Sequence, residues 1–325
     1  MFILTQYYVI FIMTHYSVNK RNWRKFMAKS CYKCNEQITD VDSSYGLHKT
    51  CFKKWFCLNE VGEFLDIASR SQSQAPLENQ EGNISFFHGA YRKYSACMEG
   101  VSYILKVQQN EYPELPATEY LCNQIYESLN IEIPNYYLVD FPEGKLCFVT
   151  KNFMTGIASS SLVHIYHFVK NGLRHDCESL VAIIGEQTGR RTEQERFVYL
   201  TLADSLTGNH DRHGRNLGFI QTAKGMSLAP FYDNPSALGL EVQSMLGADL
   251  QPRGNIHTKE TDKPTMRDYI QEWNRLGYSN VVECFRKQHS LEKLEGIIER
   301  SFLSEKRQKA ILRLIKSRSE ELWKI

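Results

Sequence analysis

Hydrophobic and polar positions change period several times along the chain, and the changes mark out its elements. Between Asn83 and Lys151 short runs rich in β-branched and aromatic residues, NISFFHG, YRKYSACM and VSYILKV, break at Gly89 and at Glu99-Gly100 and predict three strands. In PELPATEYLCNQIYESLN the period becomes helical, with Tyr120, Leu121, Gln124, Ile125 and Leu129 in step and Pro116 and Thr118 suited to a first turn. NYYLVDF and KLCFVTKNF, joined at Pro142-Glu143-Gly144, predict two further strands. Later, Phe197, Leu200, Thr201, Asp204 and Ser205 fall at helical spacing and Gly208 ends that helix. NLGFI then predicts a strand, and a second short strand precedes Asp233. Beyond Gln243, the segments DYIQEWNRLG, SLEKLEGIIERSF and EKRQKAILRLIKSRSEELW each carry an apolar stripe with a charged opposite face. The basic residues of the last one, Lys306, Arg307, Lys309, Arg313, Lys316 and Arg318, read as the solvated face of a packing helix rather than a nucleic-acid surface.

Outside these patterned stretches, Ser69 to Asn83 (SRSQSQAPLENQEGN) carries almost no large apolar side chain and reads as the core of a connection over 59–82. The apolar run Met1 to Met13 is too short to span a bilayer and is interrupted by Thr5 and Gln6. Its basic residues, Lys20, Arg21, Arg24 and Lys25, follow the apolar stretch instead of preceding it, so it lacks the layout of a signal peptide. Residues 1–27 read as an extension or a mis-set start, or equally as a functional segment, with an interfacial anchor the lesser possibility. The expected organisation is that extension, a small module at 28–58, the connection, a β-rich lobe at 83–153 and a helical lobe at 154–325.

Composition narrows the class. The 325 residues, 42% hydrophobic and 12% aromatic, suffice for a large core. Lys and Arg number 39 against 37 Asp and Glu, which excludes a polybasic protein though not a local basic groove. Five of the nine cysteines, Cys97, Cys122, Cys147, Cys177 and Cys284, are scattered through apolar segments without a spacing rule. That suits buried thiols in a reducing, cytoplasmic setting better than a disulfide frame.

Two places carry chemistry. In CYKCNEQITDVDSSYGLHKTCFKKWF, the pairs Cys31/Cys34 and His48/Cys51 are Cys-x2-Cys and His-x2-Cys separated by a short hairpin, a spacing that wraps a tetrahedral zinc ion, with Cys57 a spare thiol. Lys49, Lys53 and Lys54 beside Phe52, Trp55 and Phe56 offer charge and stacking for nucleic acid, but in so small a unit the aromatics serve first as its core. The second place is RFVYLTLADSLTGNHDRHGRNLGFI followed by SLAPFYDNPSAL, which sets Asp211, Asn216 and Asp233 on loops flanking a small hairpin. Phosphoryl transfer needs one carboxylate to orient the attacking hydroxyl, and an Asn with a second carboxylate to hold magnesium. With Lys106 ending a strand and Glu119 on the following helix, the kinase parts occur in kinase order. His213 orients Asp211 or meets a phosphate.

The string GNHDRHGRNLGF with LAPFYDN resembles the HipA-like serine/threonine kinases, and is similar to bacterial secreted kinases with D-R-H-x-x-N loops and, more distantly, to phosphatidylinositol kinases. The resemblance spans Asn83 to about Leu322, and Cys31 to Phe56 is similar to a small cysteine-containing segment preceding some of these proteins. It implies an α+β, bilobal protein-kinase-like fold with an N-terminal zinc-knuckle-like module. It further implies Asp211 as catalytic base, Asn216 and Asp233 as Mg2+ ligands, and Lys106 as the ATP lysine. Gly89, Ala90 and Lys93 would form the nucleotide loop, Lys151, Asn152 and Phe153 the hinge under the adenine, and His213 would lie near the phosphates. The expected acceptor is a Ser or Thr of a protein. A small helix-turn-helix antitoxin is an implied partner, in the cytoplasm, with an effector secreted into a host cytosol as the alternative setting. The nucleotide loop departs from the family: His88, Tyr91 and Arg92 replace its usual residues, and Phe86 stands where an autophosphorylated serine often lies. A nucleotide-binding pseudokinase scaffold and a lipid or small-molecule kinase are the competing readings.

Overall fold

The computed structural model of the protein describes residues 29–70, 93–169 and 174–324, which divide into two units between Gly62 and Glu63. In the first, β1 (Ser43–Ser44) and β2 (Leu47–His48) pair antiparallel across Tyr45-Gly46, both with positive φ, and lead directly into α1 (Lys49–Phe56). Leu47, Phe52 and Phe56 are buried with Ile38 and Cys31, and Tyr45 stacks on Phe52 at 5.5 Å between centroids. This is too little apolar surface to hold so short a unit without a further tie.

The second unit opens with a five-stranded antiparallel sheet ordered β3-β4-β5-β7-β6, made of β3 (Leu65–Arg70), β4 (Lys93–Met98), β5 (Val101–Val107), β6 (Tyr136–Phe141) and β7 (Lys145–Lys151). β4 and β5 meet at Glu99-Gly100, whose φ of 49° and 74° give the two-residue turn that matches strand twist. Strand β3 lies inside the span 59–82 expected to be a connection. It is an edge strand with a bulge at Asp66 (φ 53°), and Leu65 and Ile67 stay exposed, so burial imprinted no pattern on it. The expected strand NISFFHG and residues 1–28 lie outside the described residues.

Between β5 and β6 runs α2 (Leu115–Ser128), with Pro near its first turn as expected. It is nearly all buried, because one face meets β6 and β7 while Ala117, Leu121, Ile125 and Tyr126 enter the core of the helical lobe. That lobe contains β8 (Ser161–His164), α3 (Cys177–Thr188), α4 (Arg191–Thr207), β9 (Gly218–Thr222), β10 (Gly225–Leu228), α5 (Met266–Arg275), α6 (Ser279–Gln288), α7 (Leu291–Glu299) and α8 (Glu305–Trp323). The architecture is α+β and bilobal, a β-rich lobe followed by a helical one, with strands β10-β9-β8 as a small second sheet. Two of the six basic residues expected on a solvated face of α8 are instead buried. Arg307 donates to the Leu238 and Glu241 carbonyls and pairs with Glu114 at 3.3 Å; Arg318 donates to Pro252 O at 3.0 Å and pairs with Glu321. Irregular backbone packed on the helix needs donors, and long arginines supply them where a charge count cannot show it. Among the described residues no helix is long and apolar enough to cross a membrane.

Candidate active site and metal cluster

Strand pairing creates the first element of the site. Lys93 and Lys106 are cross-strand partners in the β4–β5 ladder, so two ammonium groups stand side by side, an arrangement that is unfavourable without an anion between them. The anion is Asp233, whose Oδ1 lies 2.5 Å from Lys106 Nζ and Oδ2 2.9 Å from Lys93 Nζ. Lys106 Nζ also donates to Glu119 on α2. Burial alone would push the Asp233 carboxyl up, but Lys106 and then Lys93 outweigh it and hold it well below the usual carboxylate range. Burial would likewise lower the Lys106 ammonium; Asp233 and Glu119 outweigh that and keep it firmly protonated. Glu119, the deeper carboxyl, is pushed up by burial, against Lys106 and with help from Asp233. Asp233 has a φ of 54°, a left-handed conformation that is strained for an aspartate.

The second element is the loop between α4 and β9. Gly208 closes α4 at φ +71°, where a Cβ would lie 2.6 Å from Leu314, and so turns the chain sharply into the loop. Asn209 Oδ1 accepts from Asp211 N at 3.0 Å, and Asn216 Nδ2 donates to Asp211 O at 2.8 Å. The Asp211 carboxylate is more than half exposed, with His213 Nε2 at 3.8 Å, beyond hydrogen-bond length. His213 Nδ1 accepts from Arg215 N, which leaves the proton on Nε2, toward Asp211.

Of the residues predicted from sequence, the structure thus joins Lys93, Lys106, Glu119 and Asp233 in one ion-pair cluster, and Asp211, His213 and Asn216 in one loop. Lys151 ends β7. Asn152 is buried, donating from its backbone to Ser102 O and accepting from Met154 N on its side chain. Phe153 stacks on Tyr232 at 5.8 Å. Gly89 and Ala90 lie outside the described residues. Sequence reasoning missed an apolar patch of Ile104, Leu162, Ala229 and Tyr232 against Phe153, beside Asp233. A signal existed, since Ile104 is two residues from Lys106 in one strand and shares its face. Tyr232 OH donates to Arg215 O at 3.2 Å and accepts from His164 Nδ1 at 3.1 Å, linking this patch to the loop.

For a divalent cation the site offers hard oxygen donors: the Asp233 carboxylate, already held by two positive charges, and Asn216, whose amide nitrogen is committed so that its Oδ1 is what it can present. The residues fit magnesium.

In the first unit, Cys31, Cys34, His48 and Cys51 bring their ligand atoms within 4.8 Å of one another. A tetrahedral zinc ion with bonds of ~2.3 Å to sulfur needs sulfurs roughly 3.8 Å apart. His48 Nε2 donates to Gln37 O at 3.0 Å, which turns Nδ1 toward Cys34 Sγ at 3.4 Å and Cys51 Sγ at 3.9 Å. Burial raises the Cys31 thiol, but the backbone N–H groups of Cys34, His48 and Lys33 outweigh it and bring it down to about 7. Burial, and then the charge on Cys31, push Cys51 up to about 12, the strain that a shared cation relieves. Cys57 caps α1 in a left-handed conformation and takes no part in the cluster.

A family model described as the HipA-like C-terminal domain matches residues 85–307. No curated protein matches the sequence. Among solved structures, the chain is similar to the proinflammatory kinase CtkA of Helicobacter pylori, with a TM-score of 0.60 and 20% identity over 72% of this chain and 90% of that one. It is also similar to HipA in the toxin-antitoxin complex of HipA, HipB and operator DNA from Shewanella oneidensis, with a TM-score of 0.51 and 15% identity over 76% of this chain and 67% of that one.

Proposed function

This chain belongs to the HipA-like C-terminal domain family, and on that premise we propose that it is an ATP-dependent serine/threonine protein kinase. The observation that carries the reading is the cross-strand pair Lys93/Lys106, locked on one side by Glu119 and sharing the Asp233 carboxylate. Two ammonium groups facing a metal-ligand carboxylate make a place for the phosphates of a nucleotide and a cation between them. Bound magnesium, held by Asp233 and Asn216, would neutralise phosphate charge. Lys106 orients the phosphates while Glu119 fixes its ammonium. Asp211, exposed at the loop, accepts the proton of the incoming hydroxyl, with His213 beside it. The patch of Phe153, Tyr232, Ile104 and Leu162 takes the adenine, with Lys151 and Asn152 at the hinge; Gly89 and Ala90, outside the described residues, are assigned to the nucleotide loop by the family resemblance alone.

Labelled ATP with a generic protein acceptor tests the reading: Asp211→Ala lowers transfer by ~10²- to 10⁴-fold. Equal transfer by the two proteins would sink it. A second reading, a nucleotide-binding pseudokinase scaffold, is favoured by the engagement of both Asp233 oxygens with lysines, and requires binding of ATP without transfer by either protein. Transfer to lipid or a small molecule would appear as labelled product on thin-layer separation. HipA of Shewanella oneidensis occurs with HipB on operator DNA. For this chain we extend that to a small helix-turn-helix antitoxin partner and a cytoplasmic setting, with a secreted effector as the alternative. Zinc in the Cys31, Cys34, His48 and Cys51 cluster completes the proposal.

A further inference from the structure

Arg212, between the proposed base and the metal-holding Asn216, is 1% exposed and uses all five of its N–H groups. Nε and one Nη2 hydrogen go to the two oxygens of Asp204 on α4, at 2.8 and 2.9 Å. Nη1 donates to the carbonyls of Asn216 (2.9 Å) and Tyr232 (2.7 Å), and Nη2 also donates to Asn234 Oδ1 at 2.7 Å. Its own carbonyl accepts from His175 Nε2 at 3.0 Å, and burial lowers that imidazole's pKa.

The bonds have a common direction. They seize the loop at Asn216 and hold the chain on both sides of Asp233, at Tyr232 and at Asn234. Two further links reach α2. Asn234 Nδ2 donates to Asn123 Oδ1 at 2.8 Å, one helical turn beyond Glu119, and Tyr126 OH donates to the same Asp204 at 2.5 Å. Stability alone is a poor reason for such a group, since a buried ion pair is often matched or bettered by apolar side chains of equal volume. A planar fork with five fixed donors is, however, suited to keeping several backbone segments at fixed separation.

We propose that Arg212 is a positioning residue for magnesium: anchored on Asp204, it sets the distance between the loop that presents Asn216 and the turn that presents Asp233, and thereby the metal site itself. This rests on the kinase reading for its catalytic consequence, but not for its metal consequence. Lysine keeps the charge against Asp204 and has three donors at a single point, so Arg212→Lys cannot hold both loops.

The test measures the magnesium concentration that half-saturates binding of a fluorescent ATP analogue, together with kcat and KM for ATP at saturating magnesium. In Arg212→Lys the magnesium midpoint is expected to rise by about 10- to 100-fold, as when an outer partner of a metal ligand is lost. The kcat is expected to fall ~10²-fold, with KM for ATP within about threefold. An arginine that merely supports the fold would reduce binding amplitude and rate together through the folded fraction, with the midpoint unmoved, and that result overturns the proposal. If Arg212→Lys does not fold by thermal melting, Asp204→Asn leaves the three bonds from Arg212 to the two loops and weakens the anchor, together with the bonds Asp204 accepts from Tyr126 and Asn209. Its midpoint should rise by a smaller factor, and an unmoved one is again decisive against. Wild type that binds ATP in a magnesium-linked way but transfers to no acceptor defeats the kinase reading while the midpoint still judges Arg212. Wild type without magnesium-linked binding defeats both.

Discussion

Asp233 gathers two lysines around one carboxylate, and its titration has a direction that can be worked out. Lys106 and Lys93 hold it below the ordinary aspartate range of about 4, so the unfolded chain takes up the proton first as pH falls. The stability from these ion pairs is therefore fully present above about pH 4 and is lost as pH drops from there toward the folded value. In Asp233→Asn, melting temperature should fall less steeply between about pH 5 and pH 3 than in wild type, whatever its starting value. Equal slopes would show that the pairs contribute nothing. At this scale type and order singled out Lys106, Glu119, Asp211, Asn216 and Asp233, of which the structure joins Lys106, Glu119 and Asp233 in one ion-pair cluster and Asp211 with Asn216 in one loop. Lys93 was assigned to a nucleotide loop by resemblance, and its bond to Asp233 spans 140 positions, which no local pattern encodes. Arg212 stayed hidden for another reason: a charged residue between Asp211 and His213 reads as loop polarity until its burial is known.

Helix ends and small modules were legible in proportion to their local chemistry. Gly208 marked the end of α4 correctly because only a left-handed residue without Cβ fits there. Gly208→Ala should destabilise the protein by about 1–3 kcal/mol in chemical denaturation, from backbone strain and the contact with Leu314. A loss below the error of measurement would mean that the turn can rebuild itself. The knuckle was legible from ligand spacing alone, which its hairpin and α1 realise in space. Since Leu47, Phe52 and Phe56 are a slight core, a chelator under reducing conditions should bring amide exchange within residues 29–58 to near unfolded rates, and metal analysis should find about one zinc per chain. Unchanged exchange after metal removal would show that the core suffices. Strand β3 was not legible: periodicity is the imprint of burial on one face, and an exposed edge strand carries none.

For the whole molecule, lobe order was readable because strands and helices segregate along the chain, whereas the way α2 belongs to both lobes was not. Its sequence shows a helix with an apolar stripe; that the helix is buried nearly all round follows from the sheet strands on one face together with core partners far along the chain on the other. From α8, Arg307 reaches Glu114 at the head of α2 and the carbonyls of Leu238 and Glu241, while Ser304 donates to the same Glu114. Arg307→Ala leaves those acceptors buried and should cost on the order of 3 kcal/mol of global stability in denaturant unfolding, and Arg307→Lys less. A loss confined to fraying of α8 in hydrogen exchange would limit the contact to a local role. Because α2 carries Glu119 and is packed into the helical core, withdrawing Glu119 from Lys106 would mean breaking open that core, a far larger change than swinging a helix hinged on the sheet. If the chain is the kinase proposed, a switch that works by withdrawing Glu119 is therefore the costly one, and control would fall more readily on synthesis, turnover or sequestration of the chain.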